Sequence, residues 1–320
     1  MKSLVACLTL AAAASSPAVA GPELAQMVMP GAATVAGLNM RGLRTTAAGQ
    51  ALLGKMQKDE KSFQELIQVT GFDPRRDLDE VLIASVPTGA GQISVVLASG
   101  TFDRERILSA ARGQQAEVRM YRGVEMIRPN SGRADKGVLA LVSGNLVVAG
   151  NEAAVKAVLD RRASGSRGGD RGLQARIEEL SGRYDVWFFS TTPVESMMAK
   201  LPGPKAGAGG KKPGINALEA IQHASGGMKF GATVTLTAEA VTRSAEDATA
   251  LKNVVQFLAG MAQMNRATPE GREWAEFADS LEVTTNGGTV SIRLAVAEDK
   301  MERLLEQMSK PKIPAKRAVL

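Results

Sequence analysis

SFQELIQVTGFDPRRDLDEVLIASV, residues 62–86, decides how this chain is read. Ser62 and Glu65 have the spacing of a capping box, so a helix is expected from Ser62, with Phe63, Leu66 and Ile67 on its core face. Gly71 ends that helix, and Asp73-Pro74 prevents its continuation. Val81–Val86 then reads as an apolar strand. The same order is expected at residues 216–236, NALEAIQHASGGMKFGATVTL. Asn216 and Glu219 repeat the capping spacing, and Glu65–Gln68 matches Glu219–Gln222 at a constant offset of 154. That repetition predicts a duplicated module, with a helix over Asn216–Gly226 equivalent to Ser62–Gly71.

Outward from the first copy, Ala33–Met40 reads as a strand, and Ile93–Ala98 pairs with Val81–Val86 in a hairpin. Asp103 caps a helix. Glu117–Tyr121, Val124–Arg128, Val138–Val142 and Leu146–Ala149 are further strands, and Asn151 caps another helix. In the second copy, Tyr184–Ser190 is a strand and Thr192–Met198 a short helix. Met228–Thr237 and Ala240–Ser244 form a hairpin. Ser244 starts a long helix with Leu251, Val254, Val255 and Leu258 as its apolar stripe, and Thr268-Pro269 starts the next. Asn286-Gly287-Gly288 joins Leu281–Thr285 to Thr289–Val296, and Met301–Met308 closes the pattern. Hairpins followed by helices predict an α+β fold of two similar halves, each a mainly antiparallel sheet covered by helices on one face.

Met1–Ala20 has a basic start, an apolar stretch Leu4–Ala14 and the small-residue site Ala18-Val19-Ala20, the pattern of a cleaved export signal. The expected divisions are a signal at 1–20, halves at 21–162 and 183–308, a Gly/Ser/Arg linker at 163–182 and a basic disordered tail at 309–320. The sole cysteine, Cys7, leaves with the signal, so the mature chain has neither disulfides nor thiolate ligands. The net charge of +6 falls to +5 without Lys2. Lys310, Lys312, Lys316 and Arg317 supply most of the remainder, which leaves the folded part near neutrality. Aromatic residues are only 4% of the chain, too few to interleave with a basic face, which argues against a nucleic-acid site.

No catalytic, cofactor-binding or metal-ligating residue emerges. His223, the only histidine, is placed at a helix end with Ser225 on another face, which is not a nucleophile–base pair. Asp73, Asp77, Asp79 and Glu80 are interleaved with Arg75 and Arg76, the composition of a salt-bridged turn rather than a calcium loop. Lys205–Lys212 lacks the glycine spacing and the final Ser or Thr of a phosphate loop. Met27, Met29, Met40, Met197 and Met198 are read as core filler rather than copper ligands, because no histidine or cysteine joins them.

The segment Gly71-Phe72-Asp73-Pro74-Arg75-Arg76-Asp77-Leu78-Asp79, followed by Ala140–Asp160, resembles exported bacterial proteins of unknown function that carry a GFDPxxDLD phrase before an α+β repeat. The resemblance implies a periplasmic or secreted location and carries over no catalytic residue. The expected function is that of an exported, non-enzymatic binding or scaffold protein. Its expected partner is an envelope protein or an apolar ligand held at the sheet faces between the halves, and the tail adds weak contact with anionic membrane surfaces. The alternatives are an envelope-polymer hydrolase using a carboxylate pair and a metallochaperone. Two acids set about 5–9.5 Å apart in a concave site would favour the hydrolase, and a contiguous apolar groove without perturbed acids would favour binding.

Overall fold

The computed structural model describes residues 22–55, 60–89, 91–130, 137–165, 170–192, 215–264, 266 and 269–307. The first half contains α1 (Pro22–Met27), β1 (Thr34–Asn39), α2 (Met40–Arg44), α3 (Ala47–Lys55), α4 (Glu60–Thr70) and α5 (Pro74–Asp77). It continues through β2 (Leu78–Thr88), β3 (Gly91–Gly100), α6 (Arg104–Gly113), β4 (Glu117–Tyr121), β5 (Val124–Arg128), β6 (Val138–Ser143), β7 (Leu146–Gly150) and α7 (Glu152–Ala163). The second half contains α8 (Arg171–Arg183), β8 (Val186–Ser190), α9 (Ile215–Glu219), β9 (Ile221–Lys229), β10 (Thr233–Thr242) and α10 (Ala245–Met264). It ends with α11 (Pro269–Asp279), β11 (Leu281–Asn286), β12 (Thr289–Ala297) and α12 (Glu298–Gln307).

Local chemistry sets many of these boundaries. Gly71 takes a φ of +71° as its N–H closes on Ile67 O at 2.7 Å, which stops α4. Asp73 Oδ1 then accepts from Arg75 N at 3.0 Å and starts α5 on Pro74. Asp103 and Asn151 cap α6 and α7 in the same way.

The α+β, antiparallel expectation holds. The strands of both halves also join in one twelve-stranded sheet of order β11-β12-β10-β9-β8-β1-β2-β3-β7-β6-β5-β4. The halves meet at an antiparallel seam in which β1 pairs β8 from Thr34↔Ser190 to Leu38↔Val186. Outward from the seam the two strand orders correspond. β1-β2-β3 and β8-β9-β10 are both meanders, and the last strand of each half, β7 or β12, returns beside the third.

Alternation along the strands gives the sheet two faces. On the front, Val35, Leu82, Val95, Leu97, Val148 and Trp187 pack with residues of α1, α7 and α8 in one buried cluster. On the back, α6 packs on Ala98, Leu141 and Val147, and α2, α3 and α12 bury Met40, Leu43, Leu53 and Met301 against the strand ends. At the far end of the back, α9 and α10 pack on Ile221, Val290, Val283 and Ile292.

Several sequence expectations need correction. α4 starts at Glu60, so Ser62 lies inside the helix, and Asn216 lies inside α9; neither residue is a cap. The helix expected over Asn216–Gly226 ends at Glu219, and Ile221–Lys229 is a strand, so the 154-residue offset matches a helix to a strand. The following turn falls at 230–232, between β9 and β10, rather than near 238. The expected linker at 163–182 overruns its composition: Arg171–Arg183 is α8, with Leu173, Ile177 and Leu180 buried at helical spacing. The export segment, the Thr192–Met198 helix beyond its first residue, the glycine–lysine loop and the tail lie outside the described residues.

Candidate functional site

The polar candidates resolve into structural contacts. Arg75 donates to both carboxylate oxygens of Asp73 at 3.0 and 2.8 Å, and Arg76 does the same for Asp77 at 2.7 and 2.8 Å. Arg44 donates to the carbonyls of Arg75, Arg76 and Leu78 at 2.7–2.9 Å and to Asp79 at 3.2 Å. Asp73, Asp77 and Asp79 thus form a salt-bridged turn, whereas Glu80 lies buried on β2 at 4% exposure. Among the described residues no group of three or more His, Cys, Asp or Glu side chains converges as a metal site.

His223 corrects its sequence placement. It lies on β9 rather than at a helix end, so Ser225, two residues on, shares its face. The histidine ring sits 6.1 Å from the Phe189 ring. Ser225 Oγ accepts from Arg176 at 2.7 Å, which holds the serine as an acceptor for a guanidinium. Met27 and Met29 are buried in the front cluster and Met40 in a back cluster. Three of the five methionines weighed for copper are therefore core residues, and the other two lie outside the described residues.

Five acids among the described residues are held as carboxylates by basic partners. Hydrogen bonds from Arg75 and Arg76 hold the carboxyls of Asp73 and Asp77 below their ordinary value. Arg104 does the same for Glu125, Arg122 for Asp160, and Lys300 for Glu276. Acids held down are ionised near neutrality, whereas a glycosidase acid is held up. A hollow of about 300 Å³ between α11, β12 and α12 has one acid among its described lining residues, Glu276, which Lys300 engages at 2.7 Å.

What stands out is apolar. Directly opposed residues form a row across the back: Ala149, Val96, Ile83, Ala36, Phe188, Gly226, Ala238, Ile292 and Val283. Opposed residues share a face, and at about 4.8 Å per strand the row spans roughly 38 Å. No charged residue interrupts it. At its centre Ile83 is 38% exposed, and Ala36 and Phe188 are only partly covered.

The helices on this face add to it. On α4, beside α6, Leu66 and Val69 are exposed, Leu66 in place of the core position the sequence pattern implied. On α10, Phe257, Leu258, Met261 and Met264 are 50–81% exposed. Their spacing places them on one side of the helix, and the stretch Asn253–Met264 contains no charge. Leu258, expected in the buried stripe with Leu251, faces solvent. In strand order, Ile83, Ala36 and Phe188 lie between the part of the sheet under α6 and the part under α10. Of the eight large apolar residues exposed among the described residues, Ile83 and Met120 lie on the back of the sheet and the other six on α4 and α10.

No family model matches the sequence, and no curated protein matches it either. Among solved structures, crystal form III of TP0453 superposes with a TM-score of 0.56 at 8% identity, covering 88% of this chain and 97% of that one. Crystal form IV of TP0453 gives 0.51 at 10% identity, covering 89% and 96%. The likeness is one of fold. It extends over nearly the whole of each chain, so the joined two-half architecture is shared, and identity this low transfers no residue roles.

Proposed function

We propose that this chain is an exported, non-enzymatic binding protein of the cell envelope that takes an apolar ligand on the back of its sheet. The observation that carries the reading is the uncharged, outward-facing side of α10, where Phe257, Leu258, Met261 and Met264 share one surface. Large apolar groups at consecutive helical positions expose contiguous area, and a patch of that kind marks an interaction site. The partly covered row through Ile83, Ala36 and Phe188 extends the surface into the sheet. The polar groups favour the same reading, since the acids with displaced pKa values are neutralised by arginine or lysine or bound at a helix start. Export is supported by the Met1–Ala20 pattern.

The test is binding of the apolar dye anilinonaphthalene sulfonate to the native protein and to a Phe257→Glu/Met261→Glu variant. Both substituted positions are exposed, so the variant keeps its fold and melting temperature. Saturable dye binding is expected for the native protein, weakened roughly tenfold or more in the variant, because about 1.4 kcal/mol of apolar contact corresponds to tenfold. Equal affinity for the two proteins, or no binding to the native one, would overturn the proposal.

A further inference from the structure

The twelve-stranded sheet has two terminal strands, and they are built differently. β4 is five residues long and carries Glu117 and Arg119, with positive φ at Gln115 before it and Arg122 just after it. Charges and bent ends keep an edge from pairing. β11, LEVTTN, is protected less: it carries a single charge, and positive φ occurs only at Gly287 in the turn that leaves it. It pairs with β12 over all six residues without a register shift, in contrast to the irregular pairs β9–β10, β2–β3 and β6–β7. It contains no lysine, arginine or proline, and its one charge is Glu282. Glu282, Thr284 and Thr285 are exposed. Among the described residues no strand lies on its outer side.

We infer that β11 pairs edge to edge with β11 of a second copy, in antiparallel fashion about a two-fold axis perpendicular to the sheet. Such pairing keeps the faces aligned, so opposed residues must have the same parity. Three central registers are then available. Centring on Glu282 sets two glutamates against each other and is disfavoured. Centring on Val283 opposes Val283 to its copy, Glu282 to Thr284 and Leu281 to Thr285. Centring on Thr284 opposes Thr284 to its copy, Glu282 to Asn286 and Val283 to Thr285. Both of these registers set β-branched residues together and leave no like charges opposed, so the edge complements itself as a two-fold contact requires.

The back of the sheet accommodates the pairing. α10 lies mainly on β11 and crosses toward β12 and β10, so two copies bring their α10 helices together on one face. Helices pack at 8–10 Å, about twice the strand spacing. The contact needs only the β11 backbone and its side chains and does not depend on ligand binding.

The experiment is sedimentation equilibrium of the purified protein over a wide concentration range, with Thr284→Glu and Thr284→Lys variants. Thr284 is exposed, so both variants keep the monomer fold, which circular dichroism checks. Thr284→Glu opposes like charges in both allowed registers, twice by symmetry when Val283 is central, and the dimer constant is expected to weaken roughly tenfold or more. Thr284→Lys sets lysine against Glu282 of the second copy in the Val283 register, so dimerisation is retained. A native protein that stays monomeric at high concentration would overturn the inference, as would a dimer that both variants leave unchanged or weaken equally.

Discussion

Trp187 lies against Gly37 across the β1–β8 seam, so closely that a methyl group on Gly37 would meet the indole ring at 2.4 Å. Trp187 is itself buried, at 3% exposure. Gly37 therefore supplies the space in which the large residue at the joint between the halves is packed. Gly37→Ala is expected to force the indole aside and cost about 1–3 kcal/mol, the usual range for overpacking. Denaturant unfolding followed by tryptophan fluorescence measures this, and a loss below half a kcal/mol would show that the ring moves freely.

Asp185 ties the same joint at its other end. Its carboxylate is 1% exposed, accepts from Phe230 N and Lys229 at 2.9 Å and from Asn39 at 3.3 Å, and so links β8 with β9 and β1. Asp185→Ala leaves the buried Phe230 N–H without its acceptor, at about 1–3 kcal/mol. Lys229 is half exposed, so its share of the loss is small. The expected sequence of effects is Asp185→Ala well below Lys229→Ala in melting temperature. Equal losses would place the energy in the ion pair instead.

The elements legible in the sequence are those fixed by neighbours along the chain. Asp73-Pro74, Asp103 and Asn151 each satisfy a helix N–H a few residues away, and Asn286-Gly287-Gly288 carries its turn within itself. β9 was not legible, because distant partners make it a strand. A Cβ on Gly226 would lie 2.5 Å from Thr237 O, and one on Gly227 would lie 2.4 Å from Tyr184. Read alone, Ile221–Lys229 has the small residues of a helix end. The back surface was hidden for a related reason. Leu66 and Leu258 recur at the same spacing as buried leucines, and periodicity does not say which apolar face finds a partner.

The export pattern predicts a mature chain that begins at Gly21. α1 starts one residue later and buries Leu24, Ala25 and Met27 in the front cluster, with Val28 just beyond its end. Arg161 holds it there by donating to Val28 O at 2.8 Å. N-terminal sequencing of protein from the producing cell is expected to give Gly21. Intact Met1 or a lipid on Cys7 would sink the prediction.

Acid should loosen the turn that opens β2. Arg75 and Arg76 hold the Asp73 and Asp77 carboxyls below their ordinary value of 3.8, chiefly through side-chain hydrogen bonds. A carboxyl whose folded pKa is depressed binds fewer protons folded than unfolded. Its stabilisation is therefore complete above the ordinary value and is lost as pH falls through the folded one. Melting temperature should be insensitive to these two groups from neutrality to about pH 5 and should fall below about pH 4. An Asp73→Asn/Asp77→Asn variant keeps the capping acceptors and removes the charges. It should melt lower than the native protein at neutral pH and lose less on acidification, so that the two curves converge. Curves that stay parallel down to pH 2 would assign the acid sensitivity to other carboxylates.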